Sequence, residues 1–149
     1  MTSTLIRIDS LVHFHDDGIE RDVIEIAMTS EDRQRVRRRV VASDGVEFGL
    51  ELPTGTTLIV GQALHTTDSK LYKITAAPED VLTVNPKDIS QAAFIGHLIG
   101  NLHRDIDIVN NQVIALWNEP LEKRLQKANL DYVREQRAFN GKPAGEHSH

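Results

Sequence analysis

The sequence predicts an α+β protein made of a small all-β domain, a second domain that contains two helices, and a short C-terminal tail. Three observations lead to this fold class. Short apolar runs of strand length fill the first half of the chain, helix-capping signals occur only in the second half, and the last residues are mostly small or polar. A chain of 149 residues is long enough for one domain or two small ones. We place the domains at residues 1–75 and 76–140, and the tail, expected to be disordered, at 141–149.

The first domain is predicted to consist of short strands joined by tight turns. Asp44-Gly45 separates two β-like runs, and this dipeptide tolerates the positive φ that a hairpin turn requires. In the strand that follows, residues 46–52, every second side chain is apolar, so one face of that strand is expected to be buried. The predicted strands are residues 5–13, 23–28, 35–42, 46–52, 58–60, 63–64 and 71–74.

Helix signals begin only after the boundary at residues 76–80. Asn85 is a candidate N-cap with Pro86 at the first helical position, where its missing N–H costs nothing. A second helix is expected from Glu119, with Pro120 at its start. The elements are a strand at 81–84, a helix from 86 to between 100 and 103, strands at 105–109 and 112–117, a helix at 119–129, and a strand from 132. This βαββαβ order predicts a ferredoxin-like domain.

Composition excludes several classes of function. There is no cysteine, and therefore no disulfide, thiolate metal site or cysteine nucleophile. A net charge of −5 with 5% aromatic residues lacks the basic footprint of a nucleic-acid-binding protein. No apolar run approaches the roughly 20 residues of a membrane span, and the N-terminus does not resemble a signal peptide, so we expect a cytoplasmic protein. The sequence carries no phosphate-binding, hydrolase or metalloprotease motif, and we expect no enzymatic activity.

The seven histidines are the main chemical signal in the sequence. If the first helix extends to His103, this residue shares a face with Gly96 and Gly100, all within about 60° of rotation. A face of small residues lets another backbone approach, either the sheet of the same domain or the same helix of a second copy. In the alternative interpretation, Gly100-Asn101 caps the helix, and His103 is only a favourable cation near its end.

The other histidines give weaker signals. His147 and His149 form a His-X-His pair that can offer two imidazoles to one cation, and a chance pairing is the alternative. His97 stands six residues before His103, which is not the i, i+4 spacing of histidines that chelate one ion from a helix. His13 and His15 precede two aspartates, and a solvated loop explains them as well as a metal site does.

Residues 33–39 contain the only concentrated positive charge, with five arginines among seven residues. Such a run can dock an acidic partner surface. It can equally form the exposed face of a strand that charge protects from edge-to-edge aggregation.

Several segments resemble one known family. Gly100-Asn101-Leu102-His103, which follows the Ala-Ala-Phe of the first helix, resembles the G-N-R-H motif of the UreE urease accessory proteins. Leu102 replaces the arginine of that motif. Some members of that family carry a second histidine pair after the strands that follow the helix, and residues 117–119 of this chain contain none. The tail is also short, so the resemblance implies that few metal ions are bound. Further resemblance lies in the basic strand and hairpin at 37–47, in Leu50-Glu51-Leu52-Pro53-Thr54-Gly55 and in Gly61-Gln62-Ala63-Leu64.

The resemblance implies a nickel metallochaperone that acts in urease maturation. It implies a first domain that binds partner or peptide surfaces, and a homodimer formed through a ferredoxin-like metal domain. His103 of each copy is implied to bind Ni(II) at the interface, where His147 and His149 complete the coordination and Zn(II) or Cu(II) can substitute. The implied partners are the urease apoprotein and its GTPase-containing accessory complex. The alternative function is a protein- or peptide-binding adaptor that binds metal incidentally.

Overall fold

The protein is mixed α+β and mostly strand, with two α-helices among the described residues, as the sequence predicts. The computed structural model describes residues 4–11 and 14–142. Contacts divide the chain into two compact units, with the division between Ala76 and Ala77. In the part of the chain that is described, neither helix has the length and apolar character that crossing a membrane requires.

The first unit contains two three-stranded sheets. Its strands are β1 (Ile6–Ile8), β2 (Asp22–Met28), β3 (Arg37–Val41), β4 (Glu47–Glu51), β5 (Ala63–Thr66) and β6 (Lys70–Ala76), and a 3-10 helix covers Asp32–Gln34. The sheet orders are β1-β4-β3 and β2-β6-β5. The β1–β4 and β2–β6 pairs are parallel, and the other two pairs are antiparallel.

The predicted hairpin at Asp44-Gly45 is confirmed. β3 and β4 pair antiparallel on either side of the turn, and Gly45 has a φ of +89°. The alternation in the second strand is also confirmed, because Phe48, Leu50 and Leu52 are buried in the core of the first unit. Local turn chemistry and a period of two are therefore sufficient to predict this hairpin and its buried face.

The strand predicted at residues 58–60 is wrong. Leu58 is buried, and its N–H donates to the carbonyl of Arg33 at 2.8 Å, but the segment forms no ladder. Gly61 follows with a φ of +94° and turns the chain toward β5. The short apolar run therefore anchors a loop to the core, a role that a run of three residues cannot reveal.

The second unit is a four-stranded sheet with two helices. Its elements are β7 (Pro78–Val84), α1 (Ile89–Asn101), β8 (Asp107–Val109), β9 (Gln112–Leu116), α2 (Glu119–Lys127) and β10 (Tyr132–Ala138). The sheet order is β10-β7-β9-β8, and every neighbouring pair is antiparallel. Asn110 and Asn111 form the predicted turn, with φ of +50° and +63°. A core of buried apolar side chains joins the sheet to both helices, and it includes Leu82, Val84, Ile95, Ile99, Leu121 and Leu125.

The start of α1 differs from the prediction. Asp88 is the N-cap, and its carboxylate accepts from the N–H of Gln91 at 2.7 Å. Asn85, the predicted cap, instead accepts a hydrogen bond from the Gln112 side chain at 2.7 Å. Pro86 lies before the helix. The side chain of the predicted cap is thus engaged by β9, a pairing that the local sequence does not specify.

Candidate metal centre

His103 lies immediately beyond the end of α1, in a left-handed backbone conformation with a φ of +57°. Its N–H donates to the carbonyl of Gly100 at 2.9 Å, and the N–H of Arg104 donates to the carbonyl of Ile99 at 3.3 Å. These two bonds form a Schellman motif, which satisfies carbonyls at the helix end. His103 therefore occupies the position of this motif that glycine usually takes.

Both predicted geometries of this helix end are corrected. The helix ends at Asn101, so His103 does not continue the face that carries Gly96 and Gly100. Gly100 and Asn101 are themselves helical, and the left-handed residue of the cap is His103. The cap interpretation was right about the kind of motif, and it placed the left-handed position too early because glycine and asparagine are its usual occupants.

A histidine in this conformation is unfavourable for the backbone and accessible to solvent. The left-handed region costs an L-residue roughly 1 kcal/mol relative to glycine. His103 is exposed, and it lines a shallow depression of about 170 Å³ together with Arg104, Asp105, Leu116 and Phe139. Strained residues with exposed chemical groups occur often at functional sites, which makes this imidazole the leading candidate ligand.

The base of the C-terminal tail lies beside this depression. Ile106 and Lys142 form an isolated antiparallel bridge, and Asn140 and Lys142 both donate hydrogen bonds to Asp107. Our sequence analysis missed this return of the chain. The one available signal was Asp107 itself, a carboxylate between two isoleucines in a predicted strand. Gly141 and Lys142, which the sequence analysis placed in the disordered tail, are part of this docked segment. The predicted tail ligands His147 and His149, with the rest of residues 143–149, lie outside the described residues.

One chain does not supply a complete metal site from its described residues. Within residues 4–11 and 14–142, no three histidine or carboxylate side chains converge as a metal site would require. His97 is exposed on α1 and is not brought together with His103. Any site at His103 therefore needs further ligands, either from the tail or from a second copy.

The histidines of the first unit have other surroundings. His65 packs against the rings of Phe48 and Tyr72, with centroids 5.7 and 6.0 Å away. His15 lines a depression of about 440 Å³ in which Asp17 is paired with Arg21. The hydrogen bonds from Arg21 lower the pKa of the Asp17 carboxyl to about 2, so this carboxylate is committed to the arginine. His13 lies outside the described residues.

The arginine run contains residues of two kinds. Arg33 is buried and donates to the carbonyl of Met28 at 2.7 Å, and Arg38 forms an ion pair with Asp32. Arg37 and Arg39 are exposed on β3. Arg35 is exposed as well. The two interpretations of the run therefore apply, at most, to its three exposed members, because Arg33 and Arg38 are engaged within the first unit.

The second unit also exposes apolar side chains around α1. Ile89 is 88% exposed, Phe94 on the same helix is 49% exposed, and Ile108 on β8 is 61% exposed. Ile89 and Ile108 border an apolar groove of about 460 Å³ whose floor includes Ala92 and Gly96. Exposed apolar surface of this kind is typical of a protein–protein interface.

Comparisons with known proteins agree with the resemblance found in the sequence. Residues 9–77 match the family model for the N-terminal domain of the UreE urease accessory protein. The urease accessory protein UreE of Synechococcus sp. (strain JA-3-3Ab) is 45% identical over 127 residues, which cover 85% of each chain. The UreE of Deinococcus radiodurans is 40% identical over 132 residues, covering 89% of this chain and 85% of the relative. The UreE of Bacillus sp. (strain TB-90) is 31% identical over 112 residues, covering 75% of this chain and 76% of the relative. The chain therefore belongs to the UreE family of urease accessory proteins.

Proposed function

We propose that this chain is a nickel metallochaperone in urease maturation. Two copies form a homodimer through the second unit, and their His103 side chains bind one Ni(II) ion at the interface. The ion is then passed to the urease apoprotein and its GTPase-containing accessory complex in the cytoplasm. The observation that carries the proposal is an exposed imidazole held at the left-handed end of α1, within a chain of the UreE family.

The available ligands suit this cargo. Each copy supplies one imidazole from His103 and two more from His147 and His149. Imidazole binds Ni(II) well and also suits Zn(II) and Cu(II), and no thiolate is present to favour softer ions. Ligands that come from two chains and two tails lose conformational freedom when they bind, which limits the affinity. The site thus protects the ion and still releases it by ligand exchange.

The surface around α1 supports a dimer formed through the second unit. Ile89, Phe94 and Ile108 expose apolar area that a second copy would remove from water. A twofold axis near the end of α1 would bring the two copies of His103 together. The ferredoxin-like assignment of this unit is supported by its sheet order, in which the four strands, numbered along the chain, lie in the order 4-1-3-2.

Equilibrium dialysis of Ni(II) at neutral pH tests the proposal. The parent chain is expected to bind about one ion per two chains, as a site on a twofold axis requires. His103→Ala should lose this ion or bind it at least about tenfold more weakly. His97→Ala is the matched control, because it removes an exposed imidazole from the same helix.

The adaptor alternative predicts the opposite result. If metal binding is incidental, Ni(II) uptake should be the same in His103→Ala and in the parent. Equal uptake would overturn the interfacial site. Sedimentation of both proteins separates loss of the ligand from loss of the dimer, because His103→Ala should still sediment as a dimer.

A further inference from the structure

We propose that the outer edge of β3 binds an extended, acidic segment of a protein partner, which adds to the sheet as a further strand. Arg37 and Arg39 select for carboxylates, and the backbone of the same strand supplies the hydrogen bonds. This binding surface belongs to the first unit alone, so the inference does not depend on the nickel site at His103.

The backbone of β3 presents a row of donors and acceptors on its outer side. β3 is an outer strand of the sheet β1-β4-β3. The carbonyl of Val36 accepts from Leu52, and the N–H of Ala42 donates to Val46, both at 2.9 Å. In an antiparallel pair such bonds recur at every second residue, so the even-numbered residues of β3 bond to β4. The backbone groups of residues 37, 39 and 41 therefore point outward, and no strand among the described residues pairs with them.

This free edge has defined ends. Beyond β3, the N–H of Ser43 also points outward, and it donates to the carbonyl of Glu25 on β2 at 3.0 Å. Before β3, the N–H of Arg35 donates to the carbonyl of Asp32 at 3.1 Å. The five residues of β3 lie between these two contacts. The free edge is therefore long enough to pair with an extended segment of about five residues.

The solvent face of this edge is basic at two positions and apolar at the third. Arg37 and Arg39 are exposed, and Val41 is 55% exposed. Arg38 and Val40, which alternate with them, are half-buried and buried. An added strand would place its own alternate side chains directly beside the three exposed ones. Two acidic residues and one apolar residue, each separated by a single residue, therefore complement this edge.

The positive charge on this face is available to a partner. Arg39 lies opposite Gly49, which has no side chain, and its guanidinium is 3.7 Å from the carboxylate of Glu47 with 65% of the side chain exposed. Arg7 lies on the other side of Gly49. Within the part of the chain that is described, neither Arg7 nor Arg37 forms an ion pair. Carboxylates of a partner would therefore meet guanidinium groups that can donate paired hydrogen bonds.

The same charges disfavour a second copy of the chain as the occupant. If two β3 edges paired antiparallel about a twofold axis, their arginines would lie opposite or next to one another. Like charges in that arrangement are destabilising. This agrees with protection of the edge from self-aggregation. Repulsion of a second copy and attraction of an acidic strand are two consequences of one charge pattern.

NMR titration of the isotope-labelled full chain with a synthetic peptide tests the proposal. The probe is acetyl-Glu-Thr-Glu-Thr-Val-Thr-Glu-Thr-Glu-amide, whose palindromic pattern presents two acidic positions and one apolar position in either strand direction. It should bind with a Kd no weaker than about 1 mM. The same peptide with Gln in place of every Glu should bind at least about fivefold more weakly. Equal affinity for the two peptides, or no binding of the acidic one, would overturn the proposal.

Amide exchange shows whether the peptide pairs with the backbone of β3. In the free chain, the outward amides of residues 37, 39 and 41 should exchange faster than those of Arg38 and Val40, which bond to β4. At a peptide concentration of about ten times the Kd, exchange of the outward amides should slow about tenfold. A peptide held by charge alone would leave these three amides exchanging as in the free chain, which would contradict an added strand.

A charge reversal tests the two arginines themselves. Arg37→Glu/Arg39→Glu should lose the acidic peptide and bind instead the matching peptide in which Lys replaces Glu. Arg124→Glu/Lys127→Glu is the control, because it changes the net charge equally at exposed positions of α2. It should retain the preference of the parent.

Equal weakening of the acidic peptide by both double variants would show that net charge is responsible, and the assignment to β3 would fail. Arg37→Gln/Arg39→Gln keeps the test valid if the reversed variant folds poorly. This neutral variant should bind the Glu and Gln peptides with the same affinity. A retained preference for the Glu peptide would likewise contradict the proposal.

Discussion

The two helices of the second unit end in the same backbone motif but carry different residues in it. His103 follows α1 with a φ of +57°, and Asn129 follows α2 with a φ of +54°. After α2, Leu130 donates to the carbonyl of Leu125 at 3.1 Å, which matches the bond from Arg104 after α1. Asparagine tolerates the left-handed conformation because its short side chain can bond locally. Histidine is also found there more often than most residues, although it pays more than glycine does.

The residue that follows the left-handed position also differs. Leu130 is 9% exposed and packs in the core with Leu125, so the motif after α2 directs an apolar side chain inward. Arg104 is half-buried and borders the depression at His103. The end of α2 is therefore explained by packing. At the end of α1, the left-handed backbone of His103 is not offset by a buried side chain at the next position. Its result is an exposed imidazole.

The largest expected difference concerns the packing after each helix. Leu130→Ala should lower the free energy of unfolding by about 2–4 kcal/mol, because it leaves a cavity beside Leu125. Arg104→Ala should lower it by less than about 0.5 kcal/mol, as is usual for a partly exposed side chain. Urea unfolding of both variants and the parent measures the two changes. Similar losses would mean that the two helix ends are equivalent, and the comparison would fail.

Replacing the left-handed residues separates stability from metal binding. His103→Gly should raise the free energy of unfolding by about 1 kcal/mol in the absence of metal, because glycine adopts this conformation without strain. The same variant should lose the interfacial Ni(II). Thermal denaturation without metal and equilibrium dialysis with Ni(II) give the two readouts.

The matched change at the other helix is Asn129→Gly. It should raise stability by only a few tenths of a kcal/mol, since asparagine already tolerates the left-handed region. Ni(II) binding should not change. A destabilised His103→Gly protein would show that the histidine side chain supports the fold, which contradicts the assignment of its strain to function.

The smallest expected effect concerns the strand that follows α2. Arg134 on β10 donates to both carboxylate oxygens of Asp80, at 3.0 and 2.8 Å, and lies 3.9 Å from the ring centroid of Trp117. The hydrogen bonds from Arg134 lower the pKa of Asp80 below its usual value of 3.8. The ionised form is therefore favoured in the folded state. The resulting stabilisation is present above pH 3.8 and is lost as the pH falls further.

Asp80→Asn tests this last contact. The variant should melt slightly below the parent at pH 7, and the difference should shrink as the pH is lowered beneath 3.8. Melting curves at both pH values measure it, and Ni(II) uptake at pH 7 should be unchanged. If the difference in melting temperature grows at low pH, the sign of the linkage is opposite to the one expected. The ion pair of Asp80 with Arg134 then does not stabilise β10.

Short-range patterns predicted much of the fold. The Asp44-Gly45 hairpin, the buried face of β4 and the Asn110-Asn111 turn all depend on residues within one strand or turn. The cap of α1 could not be predicted in the same way, because Asn85 is engaged by Gln112 on a distant strand. The run at residues 58–60 was misassigned for a similar reason, since Leu58 bonds to Arg33 rather than to a neighbouring strand.

The candidate site also combines features that the sequence predicts with features that only the folded chain creates. By itself, the sequence determined the segment that ends in His103, the family resemblance and the absence of thiolate ligands. Only the tertiary structure decided that α1 stops at Asn101, that His103 is left-handed, and that Lys142 returns to pair with Ile106. The reason is physical. Propensities and periodicity act over a few residues, whereas the hydrogen bonds from Asn140 and Lys142 to Asp107 join positions 33 and 35 residues apart, which only the folded chain brings together.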